Sequence, residues 1–174
     1  MIMPVREILQ LGNPALLEKS RPVKNIDSSS LRVLIVDLRD TLLAFRNDHG
    51  FGRAIAAPQI GMHEQIIYVN LENSSFAGAL INPVITRRSK TQREIWDSCF
   101  SFPELMVRVS RSEDVTVNYV DENGTRTRLD ADGDLAELLQ HEIDHLEGIL
   151  AVKRAISPTA FMTRTEWLRQ AQPE

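Results

Sequence analysis

The chain has 174 residues, of which 43% are hydrophobic and 25% are charged. These proportions are ordinary for a globular protein, and the length suits one domain with a substantial core, so we predict a single domain over residues 1–174. The net charge of −4 argues against a general DNA-binding protein. Cys99 is the single cysteine, which excludes an internal disulfide framework.

No apolar run is long enough to cross a bilayer. The start of the chain lacks the basic and apolar segments of a signal peptide, so we expect a cytoplasmic protein without membrane contact.

The first part of the chain predicts an extended arm followed by a helix. Residues 4–27 are expected to form the arm, because Gly12-Asn13-Pro14 and similar turn residues interrupt any helix there. Apolar side chains then recur at helical spacing over about 29–46. Ser28 and the two serines after it offer N-caps for that helix.

The middle of the chain predicts short strands, mostly antiparallel. The candidate strands are 66–69, 79–85, 115–120 and 125–129. Pro83 within the second of them indicates an edge position or a bulge. The sequence Asp-Glu-Asn-Gly at 121–124 predicts a hairpin turn between the last two.

Two further helices are predicted in the last third of the chain. The first covers about 134–147, where Asp134 and Glu137 resemble a capping box and Gly148 suits a C-terminal cap. The second is an amphipathic segment over about 158–170. The predicted fold class is therefore α+β, with short, mostly antiparallel strands around a central helix and with N-terminal and C-terminal helices.

The strongest chemical signal is His141-Glu142-Ile143-Asp144-His145 on the central helix. Residues four apart share one helix face, so both imidazoles can bind one metal ion while Glu142 acts as a general base. The alternative is a solvated helix face with incidental histidines.

A metal ion held by two histidines requires a third protein ligand. Cys99 is a candidate, although a lone cysteine is more often a small buried hydrophobic residue. Two histidines and one cysteine would leave a fourth position for water, which is typical of a catalytic site. The pattern then predicts a metal-activated water that attacks a carbonyl.

A segment of small residues precedes Gln59, whose side-chain amide could donate a hydrogen bond to a developing oxyanion. The alternative is a tight turn that leads into a strand.

Three motifs together resemble the peptide deformylase family in kind and in order. The first motif is Gly52-Arg53-Ala54-Ile55-Ala56-Ala57-Pro58-Gln59, the second is Asp97-Ser98-Cys99-Phe100-Ser101, and the third is His141-Glu142-Ile143-Asp144-His145-Leu146-Glu147-Gly148. The likeness extends from about residue 5 to about residue 157. It implies a metal-dependent hydrolase that removes the formyl group from N-terminal formyl-methionine.

The resemblance also implies a role for each motif residue. It makes Cys99, His141 and His145 the ligands of one divalent metal ion per chain, most often Fe(II), with Zn, Ni or Co as replacements. Glu142 would move the proton from water to the leaving amine. Gln59 and the backbone N–H of Phe100 would form the oxyanion hole.

The implied substrate is an N-formyl-methionyl nascent peptide, which would lie as an added strand beside the first motif. Its methionine side chain would enter an apolar pocket. The expected contact residues are Arg53, Ala54, Ile55, Ser98, Phe100, Phe102 and Ile143. Arg164 and Arg169 of the last segment could contact the ribosome near its exit tunnel, although such charges usually form a solvated face.

The motifs depart from the family pattern near the substrate. Ala54 replaces the second glycine of the first motif, and Asp97-Ser98 replaces Glu-Gly before the cysteine. Arg111 predicts an ion pair with Asp97 or with Asp144. The departures leave open an enzyme for another N-acyl amide and a metal-binding paralogue without catalysis. An endopeptidase of the His-Glu-x-x-His type is a third alternative, but the chain offers no suitable downstream ligand for it.

Overall fold

The computed structural model describes residues 5–72 and 76–171, so the first residue of the predicted arm lies outside the described residues. The arm is extended apart from a 3₁₀ helix at Pro14–Leu17, which the Asn13 side chain caps by accepting a hydrogen bond from the backbone N–H of Ala15. Along its length the arm bonds to distant segments of the chain. The N–H groups of Leu9, Leu11 and Ser20 donate to the carbonyls of Gln59, Ser101 and Leu146.

Helix α1 spans Ser29–His49, so the predicted helix is confirmed and is three residues longer. The Ser28 hydroxyl caps its start by accepting from the N–H of Leu31 at 3.2 Å. Gly50 ends it in the left-handed conformation, with φ of 74°. The apolar face of α1 is buried against the first sheet.

Within residues 5–72 and 76–171, eight strands form two antiparallel sheets. In chain order they are β1 (Ala54–Ala56), β2 (Ile66–Asn70), β3 (Ala77–Arg88), β4 (Gln92–Cys99), β5 (Phe102–Ser112), β6 (Asp114–Val120), β7 (Arg126–Asp132) and β8 (Phe161–Thr163). The first sheet has the order β1-β2-β3-β6-β7 and the second has β4-β5-β8. All four predicted strands are present, whereas β1, β4, β5 and β8 were not predicted.

The predicted irregularity at Pro83 is confirmed as a bulge in β3. The pairing of β3 with β6 shifts register between Ile81 and Val84, and Asn82 adopts a positive φ of 51°. The Asn82 side chain exchanges two hydrogen bonds with the backbone of Val23, at 2.8 and 2.9 Å. The bulge therefore fastens the N-terminal arm to the sheet.

Helix α2 spans Gly133–Leu146 and contacts both sheets. The predicted capping box is wrong, because the N-cap is Asp132 and its side chain makes no cap hydrogen bond. Glu137 instead pairs with Arg53, from the segment before β1. Gly148 adopts a φ of 69°, and any side chain there would collide with the carbonyl of Leu17.

The last amphipathic segment is a strand followed by a helix, rather than one helix. Phe161–Thr163 pairs with β5 as β8, and helix α3 covers only Arg164–Ala171. Pairing with an available strand edge replaces the first predicted helical turn. Among the described residues, no helix is long and apolar enough to cross a membrane.

The α+β fold class is confirmed. One core cluster lies between α1 and the first sheet, and a second lies between that sheet and α2. A third cluster packs within the second sheet. Helix α2 is therefore enclosed by the strands, as predicted.

Candidate active site

A cleft of about 780 Å³ opens between the first motif, β4, α2 and α3. Its floor includes Cys99, His141 and Glu142. Cys99 belongs to the second motif, and His141 and Glu142 belong to the third. The fold therefore brings the two motifs together at the floor of the cleft.

The three predicted metal ligands meet at the bottom of this cleft. Cys99 Sγ lies 3.3 Å from His145 Nε2, and the Nε2 atoms of His141 and His145 are 3.2 Å apart. All three side chains are buried, and their donor atoms lie within 4.8 Å of one another. One sulfur and two imidazole nitrogens that converge in this way suit a divalent transition metal ion.

Asp97 orients the first of these imidazoles. Its Oδ2 accepts a hydrogen bond from His141 Nδ1 at 2.9 Å, which leaves the Nε2 lone pair turned toward Cys99 and His145. Burial lowers the pKa of His141, but the charge and hydrogen bond of Asp97 outweigh burial and raise it well above its ordinary value. The pKa of His145 is lowered well below its ordinary value by burial and by the charge of His141. Because a metal ion must displace any proton on Nε2, metal affinity should increase with pH.

The carboxylate of Asp97 belongs to a buried ion-pair network. Arg111 donates to Asp97 at 3.0 Å and to Asp144 at 2.5 Å, so both of the predicted alternatives for Arg111 are confirmed. Arg154 also pairs with Asp144, at 2.8 Å. Asp97 and Asp144 therefore connect the second motif to the third through one guanidinium group.

Glu142 has the environment that a general base requires. Its side chain is buried, and its Oε2 has no hydrogen-bond partner among the described residues. Burial raises its pKa to about 7, partly offset by the charge of His141. A carboxylate with a pKa near neutrality can both accept and release a proton.

Gln59 is held with its amide N–H₂ toward the metal ligands. Its Oε1 accepts from the N–H of Ala56 at 2.9 Å, so its Nε2 points at Cys99 Sγ, 3.4 Å away, and at Ser101 Oγ, 3.3 Å away. The Phe100 ring stacks on the Phe45 ring at 3.9 Å between centroids. This stack holds Phe100, the residue that follows the cysteine, in place.

The wall of the cleft next to His141 is more polar than predicted. Glu137 lies one helical turn before His141, is only 6% exposed, and forms an ion pair with Arg53. Burial raises the pKa of Glu137, although the charge of Arg53 opposes that change. Arg53, like Ala54, lines the cleft, whereas Glu137 was not predicted as a site residue.

Some expected contact residues line the cleft and others do not. Ser98 and Phe100 do. Ile55 instead points to the opposite face of β1 from Ala54, into the core beneath α1. Phe102 packs in the core of the second sheet. Ile143 lies two residues beyond His141, on another side of α2, and packs against the second core cluster.

The C-terminal helix forms a wall of the cleft that the sequence did not reveal. Arg164, Trp167 and Leu168 all line it. The helical spacing of Arg164, Trp167 and Leu168 was a possible signal, but apolar spacing alone does not say which surface a helix covers.

Comparison with known proteins shows similarity over most of the chain. A family model for polypeptide deformylases matches residues 5–160. The chain is 41% identical over 149 residues to the peptide deformylase of Treponema pallidum (strain Nichols), which is 85% of this chain and 86% of that protein. It is 37% identical over 153 residues to peptide deformylase 2 of Clostridium perfringens (strain 13 / Type A), with 88% and 94% covered.

Solved structures give the same result for the fold. The peptide deformylase of Synechococcus elongatus in complex with actinonin matches with a TM-score of 0.82 at 36% identity, covering 91% of this chain and 82% of that one. The peptide deformylase of Legionella pneumophila matches with a TM-score of 0.81 at 32% identity, covering 97% and 99%.

Proposed function

Since the chain belongs to the polypeptide deformylase family, we propose that this cleft is where it performs the family's reaction. The enzyme hydrolyses the N-formyl group of formyl-methionine at the start of a polypeptide. One observation carries the assignment to the cleft. The sulfur of Cys99 and the Nε2 atoms of His141 and His145 converge beside Glu142, and one oxygen of the Glu142 carboxylate has no hydrogen-bond partner in the described part of the chain.

Peptide deformylases bind a divalent metal ion, and the three converging donors fit one. We propose Cys99, His141 and His145 as its ligands and Fe(II) as the native ion, with Zn, Ni and Co as substitutes that suit the same donor set. When bound, such an ion polarises the formyl oxygen and lowers the pKa of water. Anaerobic purification followed by elemental analysis tests both the identity of the ion and the expected ratio of one ion per chain.

Glu142 moves the proton in the proposed reaction. Its carboxylate accepts a proton from the attacking water as oxygen bonds to the formyl carbon. It then delivers that proton to the amine nitrogen as the C–N bond breaks. The products are formate and a polypeptide with a free amino terminus, so atoms and charge balance without any further reactant.

Gln59 stabilises the charge that develops on the formyl oxygen. Its Nε2 is already directed at the ligand group by the hydrogen bond from Ala56 to its Oε1, so little reorganisation is needed. We propose the backbone N–H of Phe100 as the second donor. Loss of one such donor typically lowers kcat by about 100- to 1,000-fold.

The free edge of β1 provides the place for the substrate backbone. In the first sheet β1 pairs with β2 and has no second neighbour among the described strands, so an extended peptide can add to it. Ala54 is buried among the apolar residues packed against α2. Its methyl group therefore points into the core rather than along the hydrogen-bonding edge of β1. Arg53, Ser98 and Phe100 are the other predicted contact residues that line this region.

We propose that the enzyme acts in the cytoplasm on chains that leave the ribosome. Of the two arginines considered for contact with the ribosome, Arg164 faces the cleft. Arg169 is exposed and pairs with Glu166 at 3.4 Å. A ribosome contact therefore rests on Arg169 rather than on both residues.

The decisive assay compares Glu142→Gln with the wild-type chain on formyl-Met-Ala-Ser. We expect kcat to fall by about 100- to 10,000-fold because the general base is lost, while one metal ion per chain is retained. Glu147→Gln is the matched control, since Glu147 lies near the same helix end and pairs with Lys19 on the surface. Equal rates for Glu142→Gln and wild type would refute the role of Glu142. Metal-loaded wild type that releases no amine would refute formyl-methionine as the substrate, and other N-acyl amides would then be tested.

A further inference from the structure

The C-terminal helix closes one end of the catalytic cleft through Arg164. This residue follows β8, whose pairing with β5 holds the start of α3 in place. Arg164 Nε donates to the carbonyl of Pro103 at 2.7 Å, and its guanidinium lies 3.6 Å from the centroid of the Phe51 ring. Two separate contacts therefore fix the direction of the side chain.

One nitrogen of this fixed guanidinium group lacks a partner. Arg164 Nη2 is buried and makes no hydrogen bond to any described residue. A buried N–H group without an acceptor is unfavourable, and such groups are rare in folded proteins. Burial also lowers the pKa of Arg164, although the charge of Glu104 opposes that change. Arg164 lines the cleft, so a ligand that offers an oxygen acceptor there would satisfy the group after a small shift of the atoms that now cover Nη2.

The position of Arg164 corresponds to the downstream part of a bound substrate. The formyl group must lie near Gln59, which follows β1 in the chain. A polypeptide added to the free edge of β1 therefore runs back toward Gly52 and Phe51. At about 3.3 Å per residue, the second and third residues of the polypeptide reach Phe51 and the guanidinium group above it.

We propose that Arg164 anchors a subsite for the residues that follow formyl-methionine. Its Nη2 donates to an oxygen acceptor of the polypeptide, which is a backbone carbonyl in any sequence and a carboxylate when the third residue is Asp or Glu. Trp167 and Leu168, which line the same end of the cleft, cover the apolar part of these residues. The proposal rests on the proposed function and adds a preference among its substrates.

Substrates of different length and charge test this subsite. We expect wild type to hydrolyse formyl-Met-Ala-Asp with a kcat/KM roughly 10-fold above that of formyl-Met-Ala-Lys. One additional charge-assisted hydrogen bond accounts for a difference of this size. In Arg164→Met that ratio should fall to about 1, mainly through KM, because one such bond is lost. Formyl-Met-Ala amide, which has no third residue to reach Nη2, should change by less than about 2-fold.

The matched control is Arg169→Met, the same substitution on the same helix at a residue that is exposed. It should leave the preference for the acidic peptide intact. If Arg164 only supports the fold, Arg164→Met will lower kcat/KM equally for all three substrates, which would overturn the proposal. If Arg164→Met does not fold, Trp167→Ala takes its place and should reduce the advantage of tripeptides over the dipeptide amide.

Failure of the subsite and failure of the proposed function give different results. Wild type that hydrolyses all three substrates without preference retains the function and overturns the subsite. If wild type hydrolyses none, the function fails, and titration with Met-Ala-Asp and Met-Ala-Lys still tests the subsite by tryptophan fluorescence. Tighter binding of Met-Ala-Asp that depends on Arg164 would then support it, and equal binding would overturn it.

Discussion

The substitution Asp97→Asn keeps the shape of a buried side chain and removes its charge. In the folded protein this carboxylate accepts hydrogen bonds from His141 at 2.9 Å and from Arg111 at 3.0 Å. Both bonds end on Oδ2, and an asparagine amide oxygen can still accept them, but it carries no charge to balance either cation. The metal-free protein should therefore lose stability, and the holoenzyme should lose metal affinity.

The size of the stability loss follows from the pKa of Asp97. Burial alone would raise this pKa, but the charges and hydrogen bonds of His141 and Arg111 lower it from 3.8 to about 2. Because the folded protein binds this proton less tightly than the unfolded chain does, the carboxylate stabilises the fold above the unfolded pKa. The contribution is about 2–3 kcal/mol at neutral pH, falls to about half of that at pH 3, and is lost as the pH falls through about 2.

Urea unfolding of the metal-free protein, at pH 7 and again at pH 3, measures this difference. Asp97→Asn should be less stable than wild type by about 2–3 kcal/mol at pH 7 and by about half as much at pH 3. Asp130→Asn is the control, because Asp130 lies on the surface and its ion pair with Arg128 is exposed to solvent. Competition with a chelator should show metal affinity about 10- to 100-fold lower for Asp97→Asn. A stability difference that does not change with pH would refute the argument from charge.

Three further substitutions or conditions test the cleft. Gly52→Ala should destabilise the fold by about 2–4 kcal/mol in urea unfolding, because Gly52 has a φ of 139° and the new Cβ would lie 2.7 Å from Phe100 Cζ. Arg53→Leu should cost about 1–3 kcal/mol because it leaves the buried carboxylate of Glu137 unpaired, and the double variant Arg53→Leu/Glu137→Leu should recover most of that loss. In the metal-loaded enzyme kcat/KM should fall as the pH falls through a value at or below about 7, since Glu142 must be ionised to accept a proton and a bound cation lowers its pKa further.

Each of these tests has a contrary result. A Gly52→Ala variant of unchanged stability would mean that the Phe100 ring can move aside. A double variant less stable than Arg53→Leu would mean that the two side chains act by packing rather than by charge. An acidic limb of kcat/KM well above pH 7 would exclude Glu142 as the group that titrates.

The sequence predicted the parts of the site that depend on local spacing. His141 and His145 share a helix face because they are four residues apart, and α1 and α2 follow from apolar residues at helical spacing. Cys99 was a candidate third ligand as the single cysteine, and the ordered motifs of the family added support, but its position relative to α2 depends on the whole second sheet. Local spacing carries no information about contacts across such a distance.

The second sheet was missed because its strands carry charges on their exposed face. Glu94 of β4 and Arg108 of β5 pair across this face at 2.8 Å, while Ile95 and Val109 oppose each other on the buried one. Runs that contain so many charged residues resemble loops when only their composition is considered. Cross-strand pairing, which is not visible in the sequence, stabilises them.

Glu137 and Arg164 show a second limit of reasoning from sequence. Glu137 has the spacing of a capping residue, yet its partner is Arg53, on a segment distant in the chain. Arg164 belongs to a helix whose charged residues are typical of a solvated face, yet its guanidinium group lies over the Phe51 ring inside the cleft. In both cases tertiary contacts outweigh the local preference, and both residues line the region where substrate would bind.

The separation of the three metal-binding side chains along the chain has a consequence during synthesis. Cys99 leaves the ribosome well before His141 and His145 do, so its thiol has no ligand partners and no covering helix while α2 is still being made. During that interval an oxidant can reach the sulfur, and an oxidised cysteine can no longer bind the ion as a thiolate. The supply of oxygen and of metal during translation should therefore affect the fraction of chains that become active. Chains whose Cys99 has been oxidised would not become active when metal is added later.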